Sequence, residues 1–302
     1  MTRKIEILEV GPRDGLQNEK TLVSTADKVA LAQRAVAAGV RRLELTSFVN
    51  PRRVPQMADA EDVVKAFGRP EGVTRIGLVM NEMGAKRAID CGIDELGAVT
   101  LASDEFGIRN QKQTSDESVE VAKSIIAMGK AAGRSAQVTI SVAFGCPFTG
   151  EVDPARVVSM ARRLAEAGPR EIVLADTIGV AVPAEVSRLV AAVKAEVGAI
   201  PVRAHFHDTR NTAIANVWAA IEAGAATIDA AIGGLGGCPF APGAAGNVAT
   251  EDVVYLLDRS GVATGVDFDA LVGTSHWLGD VMGKTLPSML AKAGGFPKGE
   301  EA

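Results

Sequence analysis

Residues 201–208 read Pro-Val-Arg-Ala-His205-Phe206-His207-Asp208. The stretch begins as a short strand, 201–206, and ends in two imidazoles. Side chains at i and i+2 of a strand point to one side, so His205 and His207 face a common point. Imidazole is a frequent metal ligand, and two of the chain's three histidines are here. An isolated His-x-His fits two hydrogen-bonded core histidines equally well. Its place at the carboxyl end of a strand, with carboxylates at matching places elsewhere, favours a metal site.

Seven other runs have the same strand character: 4–10, 41–46, 74–79, 94–100, 136–143, 170–175 and 226–232. Between them lie stretches of helical periodicity at 25–38, 57–67, 82–91, 115–132, 154–167, 183–196, 211–223 and 250–260. Ser24 with Asp27, and Thr114 with Glu117, have capping-box spacing. Pro183 stands where a helix would begin, and Gly39 and Gly224 follow helix ends. Eight strands alternating with helices fit a (β/α)8 TIM barrel of the α/β class. The expected layout is a single catalytic domain, with the barrel over about 1–262 and extra C-terminal helices over about 263–302.

A doubly wound open sheet has the same alternation, and strand counting does not separate the two. The placement of polar residues favours the barrel, whose chemistry gathers at the carboxyl ends of its strands. Arg13 and Asp14 follow the first strand, and Glu44, Thr46 and Ser47 close the second. Asp176 and Thr177 close the sixth, and a glycine loop carrying Cys238 and Asn247 follows the eighth.

Composition bounds the function. Of 302 residues, 47% are hydrophobic and only 4% aromatic, which suits small-residue helices and aliphatic strands better than a β-sandwich. A net charge of -5 lacks the basic footprint of a nucleic-acid binder. No apolar run approaches the ~18 residues of a membrane span. The first strand begins within a few residues of Met1, leaving no room for a targeting peptide. Three cysteines, Cys91, Cys146 and Cys238, form no even framework and read as reduced thiols of a cytoplasmic protein.

The remaining site candidates each have a plainer alternative. Asp14 precedes Gly15 and would serve as an Asx-turn residue. Asn247 would serve at a helix N-terminus. The run Gly233-Gly-Leu-Gly-Gly-Cys238-Pro-Phe has neither the dinucleotide fingerprint nor a P-loop lysine. It reads as a loop that closes over a substrate, or as a flexible connector. Cys146 has a similar setting in Gly145-Cys-Pro-Phe148, and spacing does not say which thiol is reactive. Cys91, at a helix end, reads as buried.

Taken with these residues, the sequence resembles the hydroxymethylglutaryl-CoA lyase family of metal-dependent barrel lyases. The matching segments are Glu9-Val-Gly-Pro-Arg13-Asp14-Gly-Leu-Gln17-Asn-Glu, Glu44-Leu-Thr-Ser-Phe-Val, Pro55-Gln-Met, Gly145-Cys-Pro-Phe, Asp176-Thr-Ile-Gly, His205-Phe-His-Asp-Thr and Gly233 through Asp252. They span nearly the whole chain. The resemblance implies retro-Claisen cleavage of a 3-hydroxyacyl-CoA, giving acetyl-CoA and acetoacetate from the family's own substrate. It implies Asp14, His205, His207 and Asn247 as ligands of a divalent metal, Mg2+ or Mn2+. It further implies Arg13 at the thioester enolate, Cys238 as the loop thiol, and Glu44 and Asp176 as active-site acids. Arg13 and Gln17 would meet the substrate, and a homodimer or larger assembly is expected.

One segment departs from the family pattern. After Thr209 the expected Tyr-Gly-Gln is replaced by Arg210-Asn211-Thr212. A guanidinium here would pair with a substrate carboxylate, or simply face solvent. The change leaves the acyl group open, with citramalyl-CoA an alternative. Arg52, Arg53, Arg109 and Lys284 are positional candidates for the CoA phosphates. A condensing enzyme resembling isopropylmalate synthase shares the Arg-Asp and His-x-His elements, but a 302-residue chain leaves no room for its regulatory domain. A binding protein without catalysis would need neither Arg13 nor Cys238.

Overall fold

The computed structural model describes residues 3–237 and 246–297. Its strands are β1 (Glu6–Glu9), β2 (Arg42–Ser47), β3 (Thr74–Val79), β4 (Glu95–Leu101), β5 (Ser135–Ser141), β6 (Ile172–Asp176), β7 (Val202–Phe206) and β8 (Thr227–Ala230). Each pairs parallel with the next, and β8 pairs with β1 to close the barrel. Leu8 stands opposite Asp229 and Glu9 opposite Ala230 at that seam. An open sheet is thereby excluded. The eighth strand stops before the expected 226–232 because Ile232–Gly234 coils into a 3-10 turn.

The outer helices are α1 (Thr25–Ala37), α2 (Ala60–Phe67), α3 (Glu82–Asp90), α4 (Asp104–Gln111), α5 (Ser115–Ala131), α6 (Pro154–Ala165), α7 (Pro183–Val197), α8 (Ala213–Glu222) and α9 (Thr250–Arg259). Local chemistry sets their starts. The Ser24 hydroxyl accepts from the Asp27 N–H, Thr114 and Glu117 form a reciprocal capping box, and Pro183 occupies the first turn of α7. Helix α7 buries Val186, Leu189, Val190 and Val193, an i, i+3, i+4, i+7 stripe. Each such side chain contributes about 1.5–3 kcal/mol on burial, so Val190→Asp would undo the docking of α7.

Helix α4 was not expected from the sequence. Its segment, Asp-Glu-Phe-Gly-Ile-Arg-Asn-Gln, buries only Phe106 and Gly107 and so has little periodicity. The available signal was its start, where Ser103 accepts from the Phe106 N–H and acidic residues fill the first turn. Two further helices, α10 (Phe268–Met282) and α11 (Leu290–Ala293), follow the barrel. Helix α10 packs on α1 and α9, with the Arg34 guanidinium 4.6 Å from the Trp277 ring centroid.

The barrel interior is unusually polar below its mouth. Arg42, Glu95, Glu171 and Arg203 are all buried. Arg42 Nη1 donates to Glu171 Oε2 at 2.9 Å and its Nη2 to Glu95, while Arg203 Nη1 reaches the same Glu171 oxygen at 3.3 Å. Buried charges persist only when paired in this way. No helix among the described residues is long and apolar enough to cross a membrane.

Candidate metal centre and active site

Three strand ends build the centre. After β1, residues Gly11–Gly15 form a single π-helical turn that carries Arg13 and Asp14 inward; such turns recur at functional sites. Strand β2 brings Glu44, at a register shift between Glu44 and Thr46, a bulge of the kind that re-aims side chains. Strand β7 brings His205, and His207 lies just past its end.

The Nε2 atoms of His207 and His205 lie 3.4 Å and 3.9 Å from Asp14 Oδ2. The ligand atoms of the three residues all fall within 4.8 Å of one another, so together they could hold a metal ion. Both histidines are buried and Asp14 is half-buried. Burial alone would raise the Asp14 pKa, but Arg13 and the two imidazoles overcome it and hold the carboxyl well below its usual range. The group is therefore an ionised oxygen donor at neutral pH. One carboxylate and two imidazoles suit a divalent cation.

Asn247 joins the cluster through its amide nitrogen. Its Nδ2 donates to Asp14 Oδ2 at 2.9 Å and to the Leu235 carbonyl at 3.0 Å. It lies ahead of α9, whose N-cap is Ala249, so helix capping does not account for it. Gly236 makes room for it: φ is +124° there, and a Cβ would come within 2.6 Å of Asn247 Nδ2.

Arg13 is clamped. Its Nε donates to Glu44 Oε2 at 2.7 Å, and Nη1 lies against Asp14 Oδ1. Both Arg13 and Glu44 are buried yet line the cavity that holds the histidines. Gln17 lines that cavity too, with Ser47 Oγ 3.5 Å from its Oε1.

Other sequence candidates are placed differently. The Asp176 carboxylate accepts from the Val180 N–H at 2.9 Å and the Ala181 N–H at 3.0 Å, bracing the turn after β6. Burial raises its pKa, with those two bonds opposing. Arg210 is exposed, and its Nη1 donates to the carbonyls of Ile178 and Gly179 at 3.2 and 2.8 Å. It braces the same turn rather than lining the cavity. Cys238 lies outside the described residues. Cys146 is buried in a separate depression with Val180 and Glu185. Cys91, expected to be buried, is only half-buried at the C-cap of α3 because that helix end meets solvent. Arg52 and Arg53 are exposed, Arg109 pairs with Glu105 at 2.6 Å, and Lys284 with Glu19 at 2.7 Å.

Several residues of the site escaped sequence reasoning. Leu78, Met80, Val99, Leu101 and Phe106 form an apolar cavity wall, and Asn110, on the unexpected α4, lines it as well. Glu9 is buried beneath the turn after β8. Its Oε1 accepts from the Gly11 and Ile232 N–H groups at 2.8 and 2.9 Å, and its Oε2 from Thr250 Oγ1 at 2.7 Å. Desolvation pushes its pKa up to about 8. Asp229 contacts His205 Nδ1 at 3.1 Å. An acid in the middle of an apolar strand was the signal for it.

Residues 4–278 match the family model described as HMGL-like. A hydroxymethylglutaryl-CoA lyase of Bacillus subtilis is 40% identical over 286 residues, covering 95% of this chain and 96% of that one. An (R)-citramalyl-CoA lyase of Chloroflexus aurantiacus is 41% identical over 300 residues, covering 96% and 95%. An HMG-CoA lyase from Acinetobacter baumannii, solved with coenzyme A and 3-methylmalate, superposes with a TM-score of 0.94 at 38% identity, covering 99% of this chain and 98% of that one.

Proposed function

The chain belongs to the HMGL-like family, and on that premise we propose that it cleaves 3-hydroxy-3-methylglutaryl-CoA into acetyl-CoA and acetoacetate, using a bound Mg2+ or Mn2+. The observation that carries the reading is the meeting of Asp14, His205 and His207 with the clamped Arg13 in one cavity. Near-full-length identity to lyases favours cleavage over condensation or mere binding.

Asp14, His205 and His207 would hold the ion, joined by Asn247 once its amide turns oxygen-inward; amide orientation follows the hydrogen-bonding partner. When bound, the ion supplies Lewis acidity toward the substrate carboxylate and tertiary hydroxyl. The reaction removes the hydroxyl proton, breaks the C2–C3 bond and returns a proton to C2 of the thioester. Charge develops on the thioester oxygen as that bond breaks. Arg13, fixed by Glu44 and Asp14, offers a guanidinium already aimed and needing no reorganisation. Cys238 would protonate C2 from the loop. Gln17 would contact the acyl group, and Asp176 would support the cavity wall through the 176–181 turn. The proposed setting is one catalytic domain in a cytoplasmic homodimer or larger assembly.

Citramalyl-CoA is the second reading, because the lyase named for it is as similar as the hydroxymethylglutaryl-CoA lyase. Arg210 gives it no particular support, since its guanidinium is engaged with backbone carbonyls. The test is acetyl-CoA release by the Mg2+-supplemented protein from each thioester in parallel. Chelator-sensitive turnover of 3-hydroxy-3-methylglutaryl-CoA is expected. Cleavage of citramalyl-CoA alone would replace the first reading by the second.

A further inference from the structure

We propose that Asp229 is a positioning residue for the metal centre: backed by Arg203, it fixes the tautomer of His205 so that Nε2 is left to ligate. The inference rests on the metal reading above. His205 and Asp229 are cross-strand partners in the β7–β8 register, and both are buried. His205 Nδ1 lies 3.1 Å from Asp229 Oδ2. A carboxylate only accepts, and a neutral imidazole has one N–H and one lone pair. Nδ1 therefore carries the proton, and the lone pair falls on Nε2, the atom that faces Asp14.

Asp229 is itself held. Its Oδ1 lies 3.1 Å from Arg203 Nε, a buried ion pair held by charge, since neither atom makes a hydrogen bond among the described residues. Arg203 in turn reaches Glu171 Oε2 at 3.3 Å, and Glu171 Oε1 accepts from Thr227 Oγ1 at 2.8 Å. The two-residue period of β7 that pairs the imidazoles also puts Arg203 one layer below them. His207 has no such support: its Nδ1 is buried with no hydrogen-bond partner among the described residues. The two histidines are thus inequivalent, and Asp229 acts on only one of them. Outer carboxylates of this kind orient metal-bound imidazoles elsewhere.

The test is Asp229→Asn, which preserves volume. The Arg203 charge attracts the amide oxygen, turning Nδ2 toward His205 Nδ1. Two donors cannot face each other, so the imidazole proton moves to Nε2 and the lone pair is lost to the metal. Mn2+ affinity, measured by titration calorimetry, is expected to fall about 10–100-fold. His205→Ala serves as the control that should lose more. Ring-nitrogen NMR of the Mg2+-loaded wild type, readable because the chain has three histidines, should show the His205 proton on Nδ1. In the variant it should sit on Nε2.

Affinity within twofold of wild type in Asp229→Asn, while His205→Ala loses binding, would overturn this inference alone. A wild type that binds no Mn2+ would overturn the metal reading and this inference together. Should the variant not fold, the wild-type spectrum still decides: a proton on His205 Nε2 refutes the proposal.

Discussion

Arg13 Nε donates to Glu44 Oε2 at 2.7 Å, and the other edge of the guanidinium lies against Asp14. A buried arginine between two carboxylates is held in direction as well as charge. Burial would lower its pKa, but Glu44 and Asp14 outweigh that and raise it. The guanidinium thus remains a fixed cation at the cavity wall. Arg13→Met should lower kcat by about 10²–10³, the usual effect of removing one preorganised donor. Glu44→Gln should have a smaller effect, because the amide oxygen still accepts one bond. Steady-state kinetics with Mn2+ affinity measured alongside check this; an unchanged kcat in Arg13→Met removes the residue from the chemistry.

Gly236→Ala should damage the centre without unfolding the barrel. The new Cβ would sit 2.6 Å from Asn247 Nδ2, at a φ of +124° that side chains disfavour. Asn247 must shift, and with it the amide contact to Asp14. A drop in Mn2+ affinity of roughly tenfold is expected, with a melting temperature close to wild type. Unaltered affinity would show that Asn247 has slack.

Cys238→Ala should leave Mn2+ binding intact and cut turnover by about 10²–10⁴, the range for a lost general acid. Single-turnover kinetics separate the chemical step from product release. Retained turnover would move the proton donor elsewhere. Cys146, buried in its separate depression, should tolerate replacement by Ala with little loss of activity.

Glu9 should make stability depend on pH. Its folded-state pKa is raised to about 8 from 4.5. Below pH 4.5 the carboxyl is protonated in both states and costs nothing. Between pH 4.5 and 8 the unfolded chain has lost the proton that the folded chain keeps or must lose at a penalty, so stability declines as pH rises. The full effect is at most roughly 5 kcal/mol, at about 1.4 kcal/mol per pKa unit. Glu9→Gln lacks this titration. Melting temperatures from pH 5 to 8 should therefore fall for the wild type relative to Glu9→Gln; parallel curves would show that Glu9 is ionised in the folded protein.

The sequence by itself determined the alternation of strands and helices, because two-residue and 3.6-residue periods are local properties. It also determined His205 and His207 as a pair, since one strand aims both. Arg13, Asp14, Glu44 and Asn247 were legible as candidates from motif and strand-end position. Helix α4 was not legible, because a short helix with two buried residues carries almost no periodic signal. Only the tertiary structure decided that the sheet closes, through pairing of β1 with β8, residues more than 200 positions apart. Closure placed Asp14 beside the two imidazoles, while the pairing of β6 with β7 set Arg210 against the carbonyls of the turn after β6. It also revealed that Glu9 and Asp229, ordinary acids in strand-like runs, are buried partners of the site. Local sequence specifies which way a side chain leaves its own strand; what it meets there is set by the neighbouring strands, and those are fixed only when the barrel shuts.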